Sequence, residues 1–352
     1  MAYNLLYIED LDPKSIVHEL ETKGFNVKHL NPSSFEESMK EISSIGCDAI
    51  LIDFRLTSGA AIFDAPTIAQ TLRTKNTVYH KSIPIILVSS ETRISDYYKD
   101  FTSQDLFDFS TSKEWFLKNI DKCVLRINSF INAYKKIETS EYNIGSILNV
   151  SAEELKQIDY RIIERVNSEV IKTDTHAFSS FICNELIKSI GLLIGEQVLA
   201  ARLGVSIKSE GWDRLKENFI AFKYNGIFSD SYNRWWAYGI ENWWLTNSGT
   251  DIGLRRLNAE QRVERIKAFT GIENLRAESK LDFSKSSNFW TICKSTFRPI
   301  DPIDGLELHQ RELYAWQEKE YISILAGLES TELLNFVKPI DKRKLSEIQK
   351  SL

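Results

Sequence analysis

Cys47-Asp-Ala-Ile-Leu-Ile-Asp53-Phe-Arg-Leu-Thr-Ser-Gly59 is the stretch on which the reading of the first part of the chain turns. Ala49 to Ile52 is an unbroken apolar run, the pattern of a central strand covered on both faces. It ends on an acid, Asp53, and a loop then runs to Gly59. In an open parallel sheet, chemistry gathers where strands deliver their carboxyl ends. A carboxylate at such a place serves as a metal ligand, a nucleophile or a helix cap, and Asp53 taken alone leaves all three open.

The same pattern repeats on both sides of it. An apolar strand at 5–8 ends on Glu9-Asp10. Asp12-Pro13 then opens a helix, with the acid as N-cap and proline in the first turn, Ile16, Val17 and Leu20 as its apolar stripe and Gly24 as its stop. A strand at 25–30 and a helix at 33–44 lead into the Asp53 strand. A helix at 66–75 follows, Pro84 introduces a fourth strand at 85–88 that ends on Ser89-Ser90, and a fifth at 106–109 leads to Ser-Thr-Ser-Lys113. A long helix over 114–136 closes the series. Five strands alternating with helices predict a doubly wound parallel sheet with right-handed crossovers.

Glu9-Asp10, Asp53, Ser89 and Lys113 therefore all stand at strand ends, on one edge of the expected sheet. Clustered carboxylates without nitrogen or sulfur ligands suit a hard cation such as Mg²⁺. A carboxylate beside Mg²⁺ can act as a nucleophile towards phosphorus. Ser89 can hydrogen-bond a phosphoryl oxygen, and Lys113 supplies a mobile positive charge.

In order and spacing, residues 3–136 resemble the receiver domain of two-component response regulators, whose fold is flavodoxin-like. The resemblance implies that Glu9 and Asp10, with Asp53, hold Mg²⁺. It also implies that Asp53 is phosphorylated by a histidine kinase or phosphotransfer protein, and that Ser89 and Lys113 complete the switch. Thr57 stands where receivers often carry proline, and Glu114 replaces the proline that commonly follows the lysine. The segment 64–82 is longer than usual. The competing reading is a receiver-like fold kept for binding, its carboxylates merely solvated or capping helices. If phosphorylation draws Ser89 towards Asp53, the surface reporting it is expected over 94–109, including Phe107 and Phe109.

The 352 residues allow two domains, and an apolar fraction of 43% with 26% charged residues is that of a globular protein. A net charge of -5 argues against a general nucleic-acid binder. Cys47, Cys123, Cys183 and Cys293 show no paired spacing, so neither disulfides nor a zinc site is expected, and a cytoplasmic location is. The first ten residues lack the basic start of a signal peptide. No apolar run reaches the ~18 residues of a membrane span, and the longest, 190–205, is interrupted by Glu196 and Arg202.

Periodicity fades over 138–150, read as a linker between a receiver at 1–137 and a mainly α-helical domain at 151–352. Ser151-Ala-Glu-Glu154 is a capping box. Helical patterns follow at 178–194, 196–203, 212–222, 231–245, 258–269 and 318–328, with irregular chain over 270–305. The run 199–206 has the turn of a DNA-reading helix pair, but Glu210, Gly211 and Asp213 fall where packing is required, so a helix ending on Gly204 is favoured. The aromatic run 232–244 reads as core in preference to a stacking surface. Two glycines with Arg255 and Arg256 form a weak anion-site pattern, without a Walker lysine. Asp301 and Asp304 belong to a proline turn, and His176 beside Asp174 reads as a cap or surface residue.

The expectation is thus a response regulator in which phosphorylation of Asp53 modulates a helical output or interaction domain. A homodimer is an assembly that such a module would form; membrane and nucleic acid are not expected partners. Catalysis is confined to the receiver's own phosphorylation and dephosphorylation, with no separate active site identified. The alternatives are a stand-alone phosphate-accepting partner in a prokaryotic defence or stress pathway, and an enzymatic output built on Arg255, Arg256, His176 and Asp304. DNA binding ranks below both.

Overall fold

Short apolar runs buried on both faces assemble one parallel sheet. In strand β1 (Asn4–Ile8), Leu5 to Ile8 are buried on both faces, as a central strand requires. It pairs in parallel with β2 (Asn26–Leu30) on one side and β3 (Ala49–Ile52) on the other. Strand β4 (Ile85–Ser89) pairs with β3, and β5 (Phe109–Ser112) with β4, again in parallel. The order is β2-β1-β3-β4-β5, the flavodoxin-like arrangement, whose order reverses between β1 and β3. The computed structural model describes residues 2–56, 63–75, 82–90, 105–172, 174–310 and 313–351. Thr57, Gly59 and most of the expected reporting surface at 94–109 lie outside them.

Helices Lys14–Thr22, Phe35–Ser44, Ala65–Thr74 and Ile120–Thr139 flank the sheet in sequence. Each buries one stripe, for instance Ile68, Ala69 and Leu72 of the third, and these side chains join the core under the sheet. Pro13 takes the N-cap position of the first helix, one residue later than expected, while the Asp12 carboxylate accepts from the Lys14 amide. The expected helix over 114–136 is two helices, Lys113–Lys118 and Ile120–Thr139, separated at Asn119.

The fifth strand begins at Phe109 and not at 106, because Asp108 is drawn into a polar network at the amino edge of the sheet. Its buried carboxylate accepts from Arg73 Nη2 and from the Ile85 amide, each at 2.8 Å, and from the Tyr134 hydroxyl at 2.8 Å. His176 Nδ1 lies 2.8 Å from the Tyr134 oxygen and 3.4 Å from Asp108, and its Nε2 lies 2.7 Å from the Asp105 carbonyl. His176 is thus a buried link, not a cap or surface residue. Burial alone would raise the Asp108 carboxyl; Arg73, and then His176, hold it down at about 2.

Residues 138–150 do not form a loose linker. Ile144–Leu148 is a helix with Ile144, Ile147 and Leu148 buried, since this short element carries three apolar side chains that must be covered. The contacts divide the chain into two compact units: Met1–Cys183 with Asn225–Ser231, and Asn184–Tyr224 with Tyr232–Leu352. The returning segment is fastened to the first unit by the Ile227 amide on the Ile147 carbonyl at 3.0 Å and by Phe228 against Phe130 at 4.9 Å.

The second unit is mostly helical, with short antiparallel ribbons pairing Leu193–Ile194 with Trp235–Trp236, Thr291–Ile292 with Pro299–Ile300, and Gly305–Glu307 with Tyr321–Ser323. Helix Glu196–Leu203 lies where expected and ends on Gly204 at φ +70, where a Cβ would sit 2.7 Å from the Ala259 backbone. It buries Val198 to Leu203 without a break. Trp212, Trp235, Trp243 and Trp244 fill the same core. Helix Ala259–Thr270 starts from a capping box on Asn258 and Gln261. The expected helix at 178–194 is a helix Thr175–Phe181 followed by a wider turn, Ile182–Ile187. That at 318–328 gives its first turn to the Tyr321–Ser323 strand, because Ile322 is needed in the small core with Leu306 and Val337.

Arg262 locks this unit. Wholly buried, it donates from Nε to the Leu254 carbonyl at 2.9 Å and from Nη1 to those of Arg202 at 3.0 Å and Phe289 at 2.7 Å. Burial pushes the guanidinium down to about 10. Arg262→Ala strands the carbonyls of Leu254, Ala201, Arg202 and Phe289 and opens a void, so urea unfolding should show a loss of about 3 kcal/mol or more. For Asp108→Asn the expected loss is about 3–5 kcal/mol near neutral pH. Because the folded-state value is depressed to about 2 from an ordinary 3.8, that difference should be full above about pH 4. It should shrink as pH falls towards 2. A difference constant across that window would contradict the pairing.

Candidate functional site

Three strands deliver the site to the opposite, carboxyl edge of the same sheet. β1 ends immediately before Glu9, β3 immediately before Asp53, and Ser89 is the last residue of β4. Glu9 and Asp53 thus flank the point where strand order reverses, the place where open α/β sheets bind ligands. Lys113 begins the helix after β5, with Ser112 as its N-cap accepting from the Trp115 amide at 3.0 Å. That cap sets the direction in which the lysine leaves the strand.

The side chains converge. One carboxylate oxygen from each of Glu9, Asp10 and Asp53 lies within 4.8 Å of the other two. Asp53 has no exposed surface and Glu9 has 1%, while Asp10 is half-buried. Ser89 Oγ donates to Asp53 Oδ1 at 2.9 Å, and Lys113 Nζ stands 3.1 Å from the same oxygen. Lys113 also ion-pairs with Glu9 Oε2. The Arg55 amide donates to Asp53 Oδ2 at 3.3 Å, and the Leu11 amide to Glu9 Oε1 at 3.2 Å.

Burial, together with the Asp53 charge, raises the Glu9 carboxyl above its ordinary value against the downward pull of Lys113. Burial alone would lower the Lys113 ammonium; hydrogen bonding to Glu9 and the charge of Asp53 outweigh it and leave the lysine raised, hence firmly protonated. All-oxygen donors of this number and sign suit a hard divalent cation, and the residues present fit one. The ammonium already between Glu9 and Asp53 marks where positive charge is demanded.

Glu9, Asp10, Asp53, Ser89 and Lys113, all singled out from the sequence, are therefore brought together. Sequence reasoning missed Tyr7, whose hydroxyl donates to Glu9 Oε2 at 3.0 Å and whose phenol burial, then Glu9, pushes well up. It also missed His29, with Nε2 at 2.8 Å from the Glu9 carbonyl. Tyr7 stands two residues before Glu9, on the same face of β1, and that spacing was the available signal.

The candidates of the other half do not gather. Arg255 and Arg256 lie on an exposed single turn, Leu254–Arg256. Asp304 is buried and accepts from the amides of Lys285 and Ser286 at 2.8 and 2.7 Å, which is loop closure. His176 belongs to the amino-edge network of the first unit.

No protein-family model and no curated protein matches this chain. Among solved structures it is similar to the receiver domain of a sensor histidine kinase from Pseudomonas aeruginosa, described with magnesium in its active-site cleft. That similarity has 17% identity, covers 38% of this chain and 99% of that one, and has a TM-score of 0.30. A CheY-like response-regulator receiver domain from Methylobacillus flagellatus shows 21% identity over 36% of this chain and 99% of its own, with a TM-score of 0.29. NtrX from Brucella abortus shows 14% identity over 47% of this chain and 35% of its own, at 0.33. Strand order and register assign the fold: the described residues among 2–139 form the five-stranded, flavodoxin-like fold of receiver domains.

Proposed function

We propose that the first unit accepts a phosphoryl group on Asp53 in a Mg²⁺-dependent reaction, and that the protein acts as a response regulator receiving it from a histidine kinase or phosphotransfer protein. One observation carries this reading: a buried strand-end carboxylate whose Oδ1 is held by Ser89 and Lys113, beside two further carboxylates.

The chemistry follows from the positions. An Asp53 oxygen attacks phosphorus as the P–N bond to the donor's imidazole breaks; the ring, already protonated on its other nitrogen, keeps that electron pair and leaves as neutral imidazole. Glu9, Asp10 and Asp53 are the residues that would hold Mg²⁺, which supplies charge neutralisation for the phosphoryl oxygens. Lys113, with a side chain 25% exposed, retains room to swing from the carboxylates to a phosphoryl oxygen. Ser89 Oγ turns its hydrogen bond from the carboxylate to the same group. We assign the second unit a role as the output or interaction module. Its larger cavity, about 800 Å³, holds the Lys294–Glu320 ion pair at 2.5 Å, and Lys188 there bonds the Asn184 carboxamide oxygen.

Incubation with Mg²⁺ and radiolabelled acetyl phosphate should label the intact protein, and Asp53→Asn should take up no label. Lys113→Ala should slow labelling by about 10²-fold, the usual cost of losing one charged group aimed at developing negative charge. Equal labelling of wild type and Asp53→Asn would overturn the assignment.

A further inference from the structure

A groove of about 380 Å³ on the second unit gathers Lys208, Arg276 and Arg298 around one opening, with Phe297, Gln197 and Ser206 also on its wall. The protein as a whole is acidic, at -5, so three cations around one concavity run against its general charge. Arg298 is partly neutralised by Glu278, Nη2 to Oε1 at 2.9 Å. Lys208 and Arg276 have no carboxylate partner among the described residues; Arg276 Nη2 instead donates to the Lys208 carbonyl at 2.9 Å. That bond fixes the guanidinium beside the lysine. The groove is therefore left with uncompensated positive charge on oriented donors, the requirement for binding a phosphate.

Phe297 supplies a different chemistry. It is 60% exposed, with φ +57, at the tip of a tight turn in which its amide donates to the Cys293 carbonyl at 2.8 Å. A large ring held outward on left-handed backbone presents a flat apolar face beside the cations. In the larger cavity of this unit, Lys188 and Lys294 are already engaged, by the Asn184 carboxamide oxygen and by Glu320. We infer that the Lys208–Arg276–Phe297 groove is a binding site for a phosphomonoester carrying a planar ring, of the nucleoside-monophosphate class. The volume lies in the range of small-ligand sites.

Titration calorimetry on the full chain, with chelator present to keep divalent cations out of the Asp53 site, tests this with AMP, adenosine and inorganic phosphate as probes. AMP is expected to bind saturably, and adenosine and phosphate each at least tenfold more weakly. Lys208→Gln with Arg276→Gln, both exposed positions, should weaken AMP about tenfold or more. Phe297→Ala should weaken AMP while leaving phosphate unchanged, and Asp53→Asn should leave AMP binding as it is. An unchanged tryptophan near-ultraviolet dichroism confirms that the variants fold; should the double variant not fold, Lys208→Gln alone provides the same test. Absence of saturable AMP binding, binding insensitive to the groove variants, or equal affinity for AMP and phosphate would overturn the inference.

Discussion

A carboxylate without exposed surface has to be met by positive charge or lose its ionisation, and at Asp53 that constraint organises the receiver-like unit. The apolar run Ala49–Ile52 fixes Asp53 at the end of a central strand, where water cannot solvate it. Charge must then come from neighbouring strands, and the strand order sets which: Lys113 from beyond β5, with Ser89 from β4 adding a neutral donor. Glu9, from β1, adds a second buried acid instead of relieving the first. The site is consequently one positive charge facing several negative ones. Electrostatically that favours a further cation.

The two edges of the same sheet solve the problem of a buried acid differently. At the amino edge, Asp108 is held by Arg73, the Ile85 amide and the Tyr134 hydroxyl, with the Arg73 side chain only 9% exposed. A guanidinium clasped in this way also donates to the Leu106 and Ile83 carbonyls and has no freedom to leave. At the carboxyl edge the partner is a lysine, a flexible point charge with a quarter of its side chain exposed. One edge carries a clasped guanidinium and the other a partly exposed ammonium, within one small sheet.

Much of this was legible in the sequence because strand-end polar residues after apolar runs have few structural uses, and five of them recurred in register with a βα pattern. The β1, β2 and β3 strands, and the gathering of Glu9, Asp10, Asp53, Ser89 and Lys113 at strand ends on one edge of the sheet, could be read from local pattern. The start of β5 could not, since it depends on Asp108 meeting Arg73 from a distant helix. Nor could the role of His176, which reaches its partners only through tertiary packing. In the second unit, ribbons of two or three residues such as Tyr321–Ser323 are too short to show a period of two, and their neighbours' helical spacing hides them. The aromatic run resolved as core because four indoles cannot all face water.

Phosphoryl acceptance by the Asp53 carboxylate is tested most directly by trapping the acyl phosphate through reduction. Borohydride converts an aspartyl phosphate, but not a free aspartate, into homoserine, and peptide mass spectrometry then places the change. After incubation with Mg²⁺ and a phosphodonor, homoserine is predicted at position 53 and absent when either reagent is omitted. Conversion at another acid, or none at position 53 under phosphorylating conditions, would contradict the account.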